Sequence, residues 1–275
     1  MFICDRFYRF VVFCCIALTC PVIAHAEDGV ESLMFLRRVA VNSSKLMAPA
    51  IFSIPGGKTM GAYNGFLAGA AATSSRSAQD GGIELDASAA AGIGLGDPRK
   101  SIGVDTYLGI ISVNPEGKDG GFGVGEDGNL SFKVGTTLLT DEYDTVAIAA
   151  GVNNLVAWGD AERINENYYG VVSIGTAVEM LQAIVPVSVS LGAGSKQKDN
   201  ERFGVFAGLG VKLSTAVDMS AGYNASRWVG GMTFNLSQTG VPILRDLIMQ
   251  VGVDDIFDTN HNRRGVFIVA LPFSL

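Results

Sequence analysis

The sequence predicts an all-β protein, an antiparallel transmembrane β-barrel of about twelve strands behind a cleaved signal peptide. Three observations carry that expectation. Apolar residues recur with a period of two, most of the alternating segments are nine to fourteen residues long, and long polar connections alternate with short ones. A tilted strand needs about 9–11 residues to cross a bilayer, against the 5–6 usual in soluble sheets.

The amino-terminal stretch comes first. MFICDRFYRFVVFCCIALTCPVIAHA places Arg6 and Arg9 before an apolar run from Phe10 to Ala24 and ends in Ala24-His25-Ala26, the layout of a secretory signal with a small-residue cleavage site. A retained anchor helix and a lipoprotein site at Cys20 are the alternatives. The apolar run is short for the first, and Ala17-Leu18-Thr19 is a poor lipobox for the second. All four cysteines (Cys4, Cys14, Cys15 and Cys20) belong to this segment, so a processed chain has no thiol, disulfide or cysteine-bound metal. After Ala26 there are 18 Lys and Arg against 26 Asp and Glu, a balance of −8 that disfavours binding to nucleic-acid phosphates. Residues 27–60, with ESLMFLRRVAVNSSKLM and then SIPGGK, read either as a periplasmic extension or as a plug inside the barrel.

From residue 61 onward the period is two. In GIELDASAAAGIGL the odd positions from Ile83 to Leu95 are apolar, and Glu84, Asp86, Ser88, Gly92 and Gly94 share the other side. Val185, Val187, Val189 and Leu191 oppose Pro186, Ser188 and Ser190, while Val205, Leu209 and Val211 oppose Gly204, Gly208 and Lys212. Val217, Met219 and Tyr223 oppose Asp218 and Ser220, and Met249, Val251 and Val253 oppose Gln250 and Asp254. Successive strand side chains point to opposite faces, so every such segment has one oily and one small, polar face. The expected strands lie near 61–72, 82–95, 101–113, 129–138, 145–156, 168–178, 184–195, 203–213, 216–226, 228–237, 246–256 and 265–275.

The connections sort by length. TSSRSAQDG, NPEGKDGGFGVGEDG, GDAERINENY, KQKDNE and DTNHNRRG form the long set, whereas GDPRK, TDEYD and Ser214-Thr215 are tight. Long loops on one rim and short turns on the other are the habit of transmembrane barrels. Two links break the rule: that between strands nine and ten is short, and that from Ser237 to Arg245 is longer and suggests a helical turn. A soluble β-sandwich also alternates, but its outer face carries bulky polar groups. Here that face is Gly, Ser, Ala and Asn. No run of about 18 apolar residues follows residue 26, which excludes transmembrane helices.

With these features the chain resembles bacterial outer-membrane β-barrel proteins in general architecture, over most of residues 61–275. The resemblance implies the cell outer membrane as location and outer-membrane lipid as surroundings. It also implies recognition of residues 265–275 by the barrel assembly machinery, through Phe267, Val269, Leu271 and Phe273. Leu275 and Pro272 depart from the pattern, which favours a terminal Phe. Lipopolysaccharide at the long loops is a further expected partner.

The chemistry expected of such a chain is sparse. His261 is the one histidine after residue 26 and sits in a polar loop, no nucleophile or P-loop motif is present, and Gly123, Gly125 and Gly128 match a dinucleotide fingerprint only formally. The spacing of Asp254, Asp255 and Asp258 fits no EF-hand. No catalytic, cofactor or metal residue is assigned. The candidate lumen-lining residues are Glu84, Asp86, Asp105, Lys133, Lys212, Asp218, Arg227, Asp246 and Asp254, because charge is disfavoured on the lipid side. Six acids against three bases give either mild cation preference or a lumen of paired charges. Tyr63, Tyr107, Trp158, Tyr168, Tyr169 and Trp228 are candidates for interfacial aromatic girdles. The function expected is a narrow, porin-like passive channel for small polar solutes, the alternative being a non-conducting structural or surface-interaction barrel.

Overall fold

A computed structural model describes residues 49–73, 85–111, 125–141, 144–180, 183–198, 202–239, 244, 246–259 and 263–275, with only the backbone given for Leu85, Asp86, Met180, Ala183 and residues 196–198, 238 and 239. Twelve strands close into one antiparallel barrel in which each is bonded to its neighbours in sequence and β1 pairs with β12. They are β1 (Asn64–Thr73), β2 (Leu85–Gly96), β3 (Gly103–Ile111), β4 (Asp127–Thr140), β5 (Thr145–Trp158), β6 (Asn167–Met180), β7 (Ala183–Lys198), β8 (Arg202–Lys212), β9 (Val217–Tyr223), β10 (Trp228–Asn235), β11 (Ile248–Asp254) and β12 (Arg264–Ser274). Closure runs from Asn64 opposite Ser274 to Ala72 opposite Val266. It leaves no unpaired strand edge, the condition that hydrocarbon imposes on backbone amides. Among the described residues no helix is long and apolar enough to cross a membrane.

Local chemistry explains the turns at the rim where β1 begins and β12 ends. Asp97 caps the β2–β3 turn: its carbonyl accepts from the amides of Lys100 and Ser101, its carboxylate from that of Arg99, and Gly96 supplies a left-handed backbone (φ 78°). Ser214 Oγ accepts the Ala216 and Val217 amides between β8 and β9. At the opposite rim Asn224 Oδ1 accepts the Ser226 and Arg227 amides, making the β9–β10 connection tight as expected. The β7–β8 link is shorter than expected, because β7 runs through Lys198 and pairs it with Arg202. The link after β10 does hold a 3-10 turn, Leu236–Thr239. Leu236, Leu244 and Leu247 of that link pack on Val269 and Leu271, so these two outward residues of β12 are buried by the chain itself.

The two faces separate as the alternation requires. Leu95, Leu108, Val134, Ile148, Val172, Leu191, Leu209, Met219 and Val251 look outward and are exposed, giving an apolar band that runs round the barrel. A continuous exposed band of this kind is foreign to a dissolved monomer and suits a lipid-facing wall. Their neighbours on the same strands (Asp105, Ser131, Lys133, Ala149, Ser188, Ser190, Ser220 and Gln250) point inward and are buried.

The wall is uneven in height. β4, β5 and β6 have 14 residues each and β7 has 16, whereas β9 and β11 have 7 and β10 has 8. A bulge interrupts β5 against β4 between Leu130 and Phe132. There Asn154 has φ 60°, and its side-chain amide donates to the carbonyls of Ala161 and Ile164, 3.1 and 2.6 Å away, anchoring the 3-10 turn Gly159–Arg163.

Candidate functional site

The candidate site is the lumen, and its occupant is the chain itself. Residues 49–60 pass inside the barrel before β1 begins. Pro49 is placed by its carbonyl, which accepts from Ser188 Oγ on β7 at 2.6 Å, and the Phe52 amide donates to Ser220 Oγ on β9 at 2.9 Å. Further along, the Gly57 amide donates to Ser173 Oγ on β6 at 2.8 Å. Ser173 in turn shares a 2.6 Å bond with Ser190 Oγ. Near the exit the Met60 amide donates to Asp105 Oδ1 at 2.9 Å, and Lys133 Nζ donates to the Lys58 carbonyl at 2.7 Å.

Glycines on the inner wall make room for the apolar side chains of this segment. A Cβ on Gly222 would lie 2.8 Å from Ile54 Cγ1, one on Gly208 3.0 Å from the same atom, and one on Gly231 2.8 Å from Phe52 Cγ. A Cβ on Gly252 would collide with the far edge of the Phe52 ring, and one on Gly210 would approach Pro49 Cγ to 3.2 Å. Five adjacent positions on β8 to β11 thus form shallow sockets that only hydrogen side chains permit. Phe52 and Ile54 are almost wholly buried there, at 1% and 2% exposure. They belong to one apolar cluster with Phe66, Ala68, Ala70, Val171, Phe206, Val229, Val266 and Ile268, which faces the lumen from several strands.

Charged groups occur in pairs. Asp105 and Lys133, on the paired strands β3 and β4, form a 3.1 Å ion pair with side chains 0% and 8% exposed. The remaining contact of Asp105 Oδ2 is the hydroxyl of Tyr107, which donates at 2.8 Å. Lys212 Nζ meets Asp218 at 2.8 Å across β8 and β9, and Arg227 meets Asp254 at 2.8 Å near the loop rim. Arg264, a fourth inward base, is also buried. Its parity with Val266 and Ile268 was the available signal, but the strand was expected to begin one residue later.

Several expectations are corrected by this geometry. Among the described residues each of the three inward bases meets an inward acid and Arg264 adds a further inward base, which is the paired-charge alternative. Asp246 lies in the turn before β11 instead of on the strand, and Arg227 lies one residue before β10 and reaches in from the connection. Glu84 and His261 fall outside the described residues, as do the signal segment, residues 27–48 and most of the connections after β1 and β3. Asp86 is described only as a backbone position on β2 opposite Ala72. Asp254 is engaged with Arg227, and Asp255 accepts from the amide and hydroxyl of Thr259. Among the described residues no three His, Cys, Asp or Glu side chains converge.

Of the aromatic candidates, Tyr63, Tyr168 and Trp228 are exposed at strand ends, and Trp228 packs between Tyr223, whose ring is tilted against it, and Phe257, which meets it edge to face. Trp158 is half-buried and donates its indole N–H to the Gly125 carbonyl. Tyr107 and Tyr169 face inward instead, against Phe66 and Phe206. For Tyr107 the parity with Asp105 already implied that direction. For Tyr169 the Gly and Ala content of β6 hid it.

A closed, even-stranded antiparallel barrel with an apolar exterior and a filled interior that mixes polar and apolar side chains has the architecture of outer-membrane β-barrel proteins. No family model matches the chain, and no curated protein does. Among solved structures, the KdgM porin in complex with disordered oligogalacturonate aligns with a TM-score of 0.46 and 6% identity, over 76% of this chain and 99% of that one. The Acinetobacter baumannii outer membrane protein Omp33 aligns at 0.44 and 8%, over 77% and 98%. Outer membrane phospholipase A from Escherichia coli aligns at 0.41 and 13%, over 76% and 92%. Likeness of this order concerns the course of the backbone and says nothing of ligand or reaction.

Proposed function

We propose that the protein is exported by its amino-terminal signal, resides in the outer membrane, and serves as a narrow passive path for small polar solutes that is shut by residues 49–60. One observation carries this reading. The wall of β7 to β11 does not fill its own lumen, because its inner face is mostly Gly and Ser, and a separate chain segment occupies the space. With that segment elsewhere, Ser188, Ser190, Ser220, Thr233 and Gln250 would line a hydrated passage. A wall built only for rigidity would use large interlocking side chains, as small closed barrels do.

A second reading, a non-conducting structural or surface-interaction barrel, is favoured by the pairing of the lumen charges and their burial. Conductance decides between them: folded mature protein in planar bilayers should give small, infrequent current steps, and their absence at every voltage, also after removal of residues 49–57, ends the channel reading. Folding itself is checked by the mobility difference between unheated and boiled samples in detergent gels.

The same proposal has the assembly machinery read residues 265–275 and lipopolysaccharide meet the long loops. It assigns no enzymatic role. His261→Ala should therefore leave any lipid hydrolysis in a purified sample unchanged, and a loss of hydrolysis would overturn that assignment.

A further inference from the structure

The outward apolar wall is not equally tall on all sides. Along β8 the outward positions run from Phe203 to Leu213, and along β6 from Tyr168 to Val178 with Gly170 and Thr176 between. A strand rises about 3.4 Å per residue, so at a tilt of about 40° either span covers about 26 Å of height, the full apolar band of about 25 Å. On β9 the outward span is only Val217 to Tyr223, and on β10 only Trp228 to Phe234, about 16 Å each. On β11 it shrinks to Met249–Val253, about 10 Å, because Leu247, the next outward residue, is buried against Val269 and Leu271.

Both margins of this low face are marked. At the loop rim the Asn224–Arg227 turn follows Tyr223 directly, and the rings of Tyr223, Trp228 and Phe257 pack together. Ile256 folds back over the outward Gly230, where an added Cβ would lie 2.9 Å from its Cδ1. At the other rim the exposed Ser214 and Thr215 turn the chain just before β9. Between the margins Met219, Met232 and Val251 are exposed and lie side by side in the strand register. A bilayer of full thickness would press hydrocarbon on the backbone groups of one turn or both, which it cannot satisfy. A short apolar span draws the bilayer in instead, and aromatic rings settle at headgroup level.

From this geometry we infer that the face of β9, β10 and β11 is a lipid-docking surface that thins the membrane around it. The acyl chains there span about 10 Å less than on the β8 side, with Tyr223, Trp228 and Phe257 among one set of headgroups and Ser214 and Thr215 among the other. Met219 and Met232, flexible and unbranched, suit contact with the disordered chains of a thinned bilayer. The inference rests on the outer-membrane placement proposed above and is independent of conduction.

The chain supplies its own probes, for its two tryptophans stand at the loop-rim ends of the tall β5 and the low β10. Trp158→Phe leaves Trp228 alone, Trp228→Phe leaves Trp158, and a protein with both changes carries Thr215→Trp to report on the opposite rim. Each mature protein is folded into dioleoylphosphatidylcholine vesicles containing a lipid brominated near the glycerol end or near the methyl end of its chains. Gel mobility checks folding, and flotation with the vesicles checks insertion. All three tryptophans should be quenched more strongly by the glycerol-end bromines, by about twofold or more. Methyl-end quenching that equals or exceeds the glycerol-end value, at Trp228 or at position 215, would mean that the low face is sunk in hydrocarbon and would overturn the inference. Trp228 quenched by neither lipid, in a barrel that floats with the vesicles, would put protein such as a second copy on this face and overturn it as well. Protein that stays behind when the vesicles float ends the membrane placement itself, a failure distinct from the other two.

Discussion

Asp105 offers the sharpest quantitative test of how the lumen is held together. Its carboxylate is wholly buried and serves three donors: the Met60 amide, the Tyr107 hydroxyl and the Lys133 ammonium at 3.1 Å. At that separation two unit charges attract by about 5 kcal/mol for an effective dielectric constant of about 20. Removal of one member of a buried pair typically costs about 3–5 kcal/mol, because the other charge stays behind unpaired. Asp105→Ala and Lys133→Ala should each destabilise the barrel by about 3 kcal/mol, the lower end, since a vacated lumen site admits water. The double variant should be less destabilised than the sum by about 2–3 kcal/mol, the coupling expected of direct neighbours. Asp97 and Lys100, paired at 3.5 Å with side chains 45% and 85% exposed, provide the internal control. Their cycle should give a coupling below about 0.5 kcal/mol. Urea unfolding of the protein in lipid vesicles, followed by tryptophan fluorescence, measures both. Equal coupling in the two cycles would refute the assignment of the Asp105–Lys133 pair as a buried latch between wall and inner segment.

Three further outcomes are expected. Leu191 is 61% exposed on the lipid side at the middle of β7, so Leu191→Arg should lower unfolding free energy in vesicles by about 2–4 kcal/mol, and a change under about 0.5 kcal/mol would place that face in water. Gly192, one residue on and facing inward, lies beneath the Phe206 ring; Gly192→Leu should cost about 1–3 kcal/mol by overpacking, read from the same titration. Burial, reinforced by the nearby Arg99 charge, lowers the Lys58 pKa below the usual lysine value. Between its folded and unfolded values the unfolded chain binds more protons, so stability should rise with pH across that alkaline window. Lys58→Met should be more stable than the parent at neutral pH and lack this rise, as urea midpoints taken from pH 7 to pH 10 will show.

The strands were legible because the lipid-facing wall must be apolar at every second position, and nothing else about the tertiary structure alters that demand. Segment boundaries from β2 to β8 follow the parity of residues such as Ile93, Val189 and Leu209. The inward direction of Asp105, Lys133 and Asp218 follows from the same parity. The lumen-lining glycines were visible as a small-residue face, although their purpose was not. In SIPGGK and the residues before it there is no repeating period. The segment reads as loop since its partners, Ser188, Ser220, Gly222 and Gly252, lie about 130 to 200 positions further along the chain.

What the sequence by itself determined is therefore the sidedness of the wall: which residue of each alternating pair meets lipid and which meets the interior. That property is local, a matter of successive Cβ atoms pointing opposite ways along an extended backbone. Only the tertiary structure decided what occupies the interior and which charges meet there. Both depend on how strands remote in sequence come level with one another when the barrel closes. Asp254 meets Arg227 and Phe52 meets Gly252 through the register of paired strands and the path of a segment outside the sheet, and neither distance leaves a trace in the periodicity of a single strand.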